Sequence, residues 1–224
     1  FFVLGSLGPP SDERASARAL AEHYRPALDA LVGVDALLLE TFTSLPQVLA
    51  LVELIQSLPQ PPAIAVEMVG TPLADPVALV QAAADRGVQV VGANCCAPWE
   101  ISAFLDAVQD LPVVREGRVL LSAMPNAGGF QRIGHRYMTR VNPEFVGKFA
   151  RTLAERGVAL VGGCCEVHPA HLAEMYNYLQ ARSTGQRSAP VVSPPAHPPT
   201  GTAEKSRNGT FSRKIASGEF AVSV

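Results

Sequence analysis

The sequence contains little charge and no long apolar run. Asp, Glu, Lys and Arg make up 17% of its 224 residues, and the formal net charge is −2. Residues 1–180 contain no basic run, which argues against nucleic acid and anionic membrane surfaces as partners. The apolar runs are too short to span a bilayer, and the opening segment Phe1–Leu4 lacks the basic leader of a signal peptide. We therefore expect a cytoplasmic protein with no membrane partner, and the absence of an initial Met suggests a piece of a longer chain.

Cysteine is scarce and unusually placed. The four cysteines form two adjacent pairs, Cys95–Cys96 and Cys164–Cys165. A secreted disulfide framework spreads its cysteines along the chain, and a bridge within an adjacent pair crosslinks nothing. This usage fits reduced cytosolic thiols, metal ligands, or both.

Short apolar segments alternate with helix-like segments from residue 2 to about residue 182. The apolar segments are typical of strands buried on both faces. The predicted strands are Phe2–Gly5, Ala36–Glu40, Ala63–Met68, Val88–Ala93, Val119–Ala123 and Ala159–Gly163. The predicted helices are Ser11–Leu31, Leu45–Leu58, Asp75–Ala84, Pro98–Asp110, Pro143–Arg156 and Pro169–Ala181. In the first helix, Ser11 is the predicted N-cap, and Pro26 is expected to kink or split the helix.

Six strand–helix units in a row predict an α/β fold with a parallel sheet and right-handed crossovers. Such a sheet is either doubly wound or part of a (β/α)8 barrel. No Gly-x-Gly-x-x-Gly follows a strand, which weakens the dinucleotide-binding version of the doubly wound fold. Six units are too few to close an eight-stranded barrel, but the first strand begins at residue 2, so further units could lie upstream.

Two of the predicted strands are followed directly by cysteine. Cys95 follows one strand, and Cys164 with Cys165 follows another. The carboxyl ends of parallel strands meet at one edge of the sheet, where active sites of such folds assemble. Three thiolates there form a ligand set that suits tetrahedral zinc and leaves one position open, as catalytic zinc sites do. Cys96 lies one residue further on and is predicted to be a packing thiol.

Other polar residues near this edge are less specific. Glu40 ends a strand, and its carboxylate suits either an ammonium ligand, a general base or a structural role in helix capping. The segment Met124–Gly129 follows another strand and is either a loop that lines the same edge or a plain turn. His168 and His171 begin the last predicted helix, where either a ligand role or a capping role is open.

Five segments together resemble the homocysteine S-methyltransferase family. They are Leu4–Pro9, Leu38–Thr41, Gly92–Cys95, Pro125–Gly128 and Gly162–Cys165, in the order and at the spacing of the family. The resemblance covers about residues 2–182. It implies a (β/α)8 TIM barrel, here truncated to about six βα units that correspond to the third to eighth strands.

The resemblance also implies the chemistry. One zinc ion per chain is held by Cys95, Cys164 and Cys165, and the thiol of homocysteine is the fourth ligand. Glu40 matches the carboxylate that binds the amino group of homocysteine, and Asn126 is the second substrate-binding residue. The zinc-bound thiolate attacks the methyl group of a donor and gives methionine; related barrels use methylcobalamin, S-methylmethionine, S-adenosylmethionine or betaine.

One substitution departs from the family pattern. Glu166–Val167 follows the cysteine pair, where the family usually has Gly-Thr. Two alternatives to the methyltransferase therefore remain open at this point. They are a non-enzymatic zinc or redox-thiol module, and an inactive barrel fused to a reductase.

The composition changes after residue 182. Residues 183–210 are rich in Pro, Ser, Thr and Gly and are predicted to form a flexible linker. Residues 211–224 resemble the opening of methylenetetrahydrofolate reductase. This resemblance implies a bacterial bifunctional protein with a C-terminal reductase domain in the same chain, and FAD as the cofactor of that domain.

Overall fold

The computed structural model describes residues 3–12, 16–69, 75–127, 130–133, 135–139 and 141–180. These residues belong to one compact unit, Phe1–Gly185. The second unit, Gln186–Val224, lies outside the described residues. The predicted linker at 183–210 and the reductase-like segment at 211–224 therefore remain predictions.

The described residues form eight strands and seven helices. The strands are β1 Leu4–Leu7, β2 Ala36–Phe42, β3 Ala63–Met68, β4 Val90–Asn94, β5 Leu120–Met124, β6 Phe130–Ile133, β7 Arg136–Thr139 and β8 Val158–Val161. The helices are α1 Ala17–Ala30, α2 Leu45–Gln56, α3 Pro76–Asp85, α4 Pro98–Val108, α5 Pro112–Arg115, α6 Pro143–Glu155 and α7 Pro169–Gln180. None of these helices combines the length and the apolar character that a membrane span needs.

Six of the strands form one open parallel sheet in the order β1-β2-β3-β4-β5-β8. Each new strand is added at the same edge of the sheet, whereas a doubly wound sheet reverses its strand order part-way. The sequential order therefore matches part of a barrel and decides between the two predicted architectures. All six predicted strands are present, and their ends differ from the predicted ones by at most two residues.

The two faces of the sheet differ in what they bury. On β3, the alternate residues Ile64, Val66 and Met68 belong to the main hydrophobic core, which they share with the helices. Ala65 and Glu67 point to the opposite face, because successive side chains of a strand alternate. We call this opposite face the inner face of the sheet, and it carries the polar residues considered below.

The first helix begins later than the sequence predicts. Its N-cap is Ser16, whose Oγ accepts a hydrogen bond from the Ala19 N–H at 3.2 Å. The prediction of Ser11 as N-cap was therefore wrong. Ser11 and Ser16 are equally good N-cap residues, and the sequence around them does not show which one begins the helix. Pro26 lies inside α1 and does not split the helix, which leaves a kink as the remaining form of the prediction.

The loop after β5 contains an element that the sequence analysis missed. Strands β6 and β7 pair in antiparallel fashion from Phe130–Thr139 to Ile133–Arg136. This hairpin lies between β5 and α6 and does not join the main sheet. It could not be predicted from alternating strand–helix units, because both of its strands are four residues long and polar residues interrupt them.

Candidate metal centre and substrate site

The two cysteine segments follow strands β4 and β8 at the carboxyl edge of the sheet. Strand β5 lies between these two strands, and the loop after it connects the segments through backbone hydrogen bonds. The Cys164 N–H donates to the Pro125 carbonyl at 2.9 Å, and the Cys95 N–H donates to the Met124 carbonyl at 3.0 Å. The Ala127 N–H in turn donates to the Cys165 carbonyl at 3.0 Å. The loop therefore fixes both cysteine segments against each other.

Three sulfur atoms converge at this edge. Cys95 Sγ lies 3.3 Å from Cys165 Sγ, and Cys164 Sγ lies 4.0 Å from Cys165 Sγ. All three sulfurs lie within 4.8 Å of one another. A tetrahedral zinc ion with bonds of about 2.3 Å holds its sulfur ligands about 3.8 Å apart. The observed spacing therefore fits one metal ion bound by all three cysteines.

The surroundings of two of these thiols raise their pKa values. Burial raises the pKa of Cys164 to about 12, with a further contribution from its hydrogen bond with Cys95. The hydrogen bond with Cys95 also raises the pKa of Cys165, which is an exposed residue. Both thiols are therefore protonated at neutral pH, and a metal ion held by them would have to displace their protons, which would make its binding pH-dependent.

Cys96 has a different environment from the other three cysteines. It is 4% exposed and belongs to the main hydrophobic core. Burial raises its pKa to about 12. Cys96 thus packs as a small apolar side chain, as its position after the strand predicts.

Backbone strain is concentrated around the site. Among the described residues, three non-glycine residues have positive φ: Thr41 at 67°, Cys95 at 53° and Glu166 at 66°. Thr41 follows Glu40, and Glu166 follows Cys165, so each strained residue belongs to or adjoins a predicted site residue. Such left-handed conformations are unfavourable for side chains with a Cβ and cluster at functional sites.

Gly163 allows the turn after β8 to close tightly. A Cβ at this position would collide with the side chain of Val167. Val167 therefore packs against the backbone just before the cysteine pair. The absence of a side chain at Gly163 therefore lets the backbone pack closely against the side chain of Val167.

Glu40 is held in place by one side chain from the neighbouring strand β1 and one from β4, which lies on the far side of β3. Its Oε1 accepts a hydrogen bond from Ser6 Oγ on β1, and its Oε2 accepts one from Asn94 Nδ2 on β4 at 3.2 Å. Asn94 is fully buried and also donates to Thr41 Oγ1 at 2.9 Å. These contacts orient a half-buried carboxylate at the same edge of the sheet as the sulfurs.

The sequence matches the family described as homocysteine S-methyltransferase over residues 1–179. The chain belongs to this family. The family membership confirms the resemblance that the five segments indicated.

Individual relatives agree with this assignment. The methionine synthase of Mycobacterium tuberculosis is 32% identical over 193 residues, which cover 78% of this chain and 16% of that protein. The homocysteine S-methyltransferase of Escherichia coli is 30% identical over 209 residues, which cover 81% of this chain and 62% of that protein. This chain therefore spans less than two thirds of each of these relatives.

A solved structure shows the same fold. The crystal structure of the homocysteine methyltransferase MmuM from Escherichia coli, in its apo form, superposes with a TM-score of 0.62 at 25% sequence identity. The match covers 79% of this chain and 63% of that chain. The open six-stranded sheet is therefore consistent with a partial barrel of this family.

Asn126 lies beside the first cysteine segment. Its N–H donates to the Cys96 carbonyl at 2.9 Å, and its Nδ2 lies 3.4 Å from the Cys95 carbonyl. These contacts tie the loop after β5 to the first cysteine segment. Its predicted contact with substrate stays a prediction.

His171 has a structural role. It is 3% exposed, its Nδ1 accepts a hydrogen bond from the His168 N–H at 3.0 Å, and its Nε2 lies 3.2 Å from the Val141 carbonyl. Both ring nitrogens thus contact backbone groups, one just before α7 and one just before α6. Neither His168 nor His171 belongs to the metal-ligand cluster found among the described residues.

Two site residues received no role in the sequence analysis. Ser6 and Asn94 both hold Glu40, although they lie 34 and 54 positions from it in the sequence. The available signal was a polar residue within an otherwise apolar strand. That signal identifies a residue on the inner face but does not identify its partner.

Proposed function

We propose that this chain binds homocysteine and a zinc ion and forms the methyl-accepting part of a methyltransferase that produces methionine. The observation that carries the proposal is the convergence of three cysteine sulfurs within 4.8 Å at the carboxyl edge of the sheet. Membership of the homocysteine S-methyltransferase family supports the substrate class.

The donor set specifies how the metal would be held. Cys95, Cys164 and Cys165 supply three sulfur ligands, which suit zinc and leave one tetrahedral position for the thiol of the substrate. When bound, zinc supplies Lewis acidity that deprotonates a coordinated thiol at neutral pH and so makes it a nucleophile. The metallated form of MmuM from Escherichia coli has the same fold, with a TM-score of 0.62.

The protein positions the rest of the substrate. Glu40 presents a carboxylate whose direction is fixed by Ser6 and Asn94, and this negative charge suits the ammonium group of homocysteine. Asn126 is placed by the same loop that fixes the cysteine segments and offers a side-chain amide beside them. Correct placement of the thiol relative to the donor methyl group is the main contribution of these residues.

The test compares two adjacent cysteines in the full-length protein. We expect Cys95→Ala to remove the bound zinc, homocysteine binding and methyl transfer, whereas Cys96→Ala keeps all three because Cys96 packs in the core. Zinc content by mass spectrometry and a homocysteine titration provide the readouts, followed by a screen of methyl donors. Zinc binding without homocysteine binding would instead support the zinc or redox-thiol module and contradict the proposal.

The predicted location, the predicted reductase domain and its flavin cofactor can be tested only on the complete protein. A cytoplasmic location, the reductase domain and its FAD rest on the resemblance of residues 211–224 and on composition. Flavin content and reductase activity of the full-length protein are the direct measurements.

A further inference from the structure

The carboxylate of Glu67 is buried and has no hydrogen-bond partner for either oxygen among the described residues. Glu67 is 0% exposed. A buried unpaired carboxylate loses several kcal/mol of hydration free energy. Burial accordingly raises the pKa of Glu67 to about 7. Packing alone does not account for a carboxylate at this position.

Glu67 lies on the inner face of β3 with two small neighbours. It pairs with Gly92 on β4, which in turn pairs with Ser122 on β5. A Cβ on Gly92 would collide with the hydroxyl and the carbonyl oxygen of Ser122, so Ser122 occupies the space that a side chain at position 92 would need. The nearby Ser122 hydroxyl favours the ionised form of Glu67 and so lowers its pKa, but it does not reach good hydrogen-bond geometry with the carboxylate.

Glu40 faces the same space from the adjacent strand. Leu39 on β2 pairs with Val66 on β3, so Glu40 and Glu67 each follow one member of this pair. Leu39 and Val66 belong to the main core, which places the two glutamates on the inner face. The negative charge of Glu40 further disfavours ionisation of Glu67. Two carboxylates in a site of low dielectric constant are relieved together by one cation between them.

We propose that Glu67 is a second substrate carboxylate, which holds the ammonium group of homocysteine together with Glu40. This inference rests on the proposed function, because the ammonium group belongs to the proposed substrate. The carboxylate of Glu40, oriented by Ser6 and Asn94, contacts the ammonium group from one side. The carboxylate of Glu67 contacts it from the inner face of β3. The pair makes the site selective for a thiol that carries an amine.

The test compares two thiols that differ only in the amino group. One is homocysteine, and the other is mercaptobutanoate, in which hydrogen replaces that group. Binding of each is measured by calorimetry on the zinc-loaded full-length protein at about pH 8, above the pKa of Glu67. We expect Glu67→Gln to weaken homocysteine binding about 10- to 100-fold and to leave mercaptobutanoate binding unchanged.

Further variants separate recognition from structure. Ser122→Ala removes an uncharged group that favours the ionised form of Glu67, so it should lower the ratio of homocysteine affinity to mercaptobutanoate affinity in the same direction as Glu67→Gln but by a smaller factor. Glu67→Met, of similar volume, repeats the test if the glutamine variant does not fold. Equal weakening of both thiols by the Glu67 variants, with normal zinc content, would overturn the inference and leave the proposed function standing. A wild-type protein that binds neither thiol would overturn both.

Discussion

At the scale of single residues, Glu67 gives the stability of the protein a distinctive pH dependence. Its pKa is about 7 in the folded chain, against an ordinary value of 4.5. Between these values the folded chain binds more protons than the unfolded chain, so stability falls as the pH rises and levels off above about 7. After burial, the charge of Glu40 also raises the pKa of Glu67, and the charge of Glu67 in turn helps to raise the pKa of Cys96.

Glu67→Gln removes this pH dependence. We expect the free energy of unfolding of the wild type, relative to the variant, to decrease by about 3 kcal/mol between about pH 4.5 and about pH 7. Denaturant unfolding of both proteins across this range measures the difference, and the cysteine cluster titrates in both and cancels. A difference that does not change with pH would contradict the shifted pKa of Glu67.

The three-cysteine cluster could be predicted from the residue types alone, whereas the role of Glu67 could not. The cysteines stand directly after apolar segments, and their type restricts their chemistry, so their convergence followed from parallel strands. Glu67 lies inside an apolar strand, and its importance depends on burial and on a neighbour 27 positions away in the sequence, Glu40. The sequence pattern alone does not show that Glu40 and Glu67 are close in space.

At the scale of secondary-structure elements, Arg156 joins the end of α6 to α4. Its Nη2 lies 2.5 Å from Asp106 Oδ1, and its Nε donates to Gln109 Oε1 at 3.0 Å. Arg156 is 22% exposed and Asp106 is 71% exposed, so solvent screens much of the ion pair. The hydrogen bonds between the two helices are therefore the larger contribution.

We expect Arg156→Ala to lower the free energy of unfolding by about 1 kcal/mol. The matched control is Arg151→Ala on the same helix, which removes an exposed pair with Glu155 within one helix. Because such pairs contribute little, the control should lower stability by less than about 0.5 kcal/mol. Thermal or denaturant unfolding measures both, and equal losses would refute the role of Arg156 between helices.

The elements that the sequence predicted well are those with repeated local signals. Pro at the first turn marks α3, α4, α6 and α7, and near-continuous apolar runs mark the strands of the main sheet. The β6–β7 hairpin escaped prediction because its short strands carry neither signal. The start of α1 was misplaced because two serines compete as caps within six residues.

At the scale of the whole molecule, a bound metal would connect distant parts of the chain. Cys95 follows β4 and the other two ligands follow β8, so one ion ties two strands that are separated by β5. A ligand that binds only the folded state at 100 times its dissociation constant stabilises that state by about 2.7 kcal/mol. The proposed zinc ion should therefore contribute to global stability.

We expect a strong chelator to lower the melting temperature of the zinc-loaded protein by roughly 5 to 10 °C. The Cys95→Ala variant should melt at the same temperature with and without chelator, because it lacks the complete ligand set. Differential scanning calorimetry measures both shifts. The same decrease in wild type and variant would mean that the chelator acts at another place.

The three residues with left-handed backbone have a consequence for protein engineering. Glycine adopts positive φ without strain, so a screen for thermal stability should favour glycine at the positions of Thr41 and Glu166. These positions adjoin Glu40 and Cys165, where looser backbone would misplace the groups that bind the ligand. Selection for thermal stability and selection for activity would then favour different residues at this edge of the sheet.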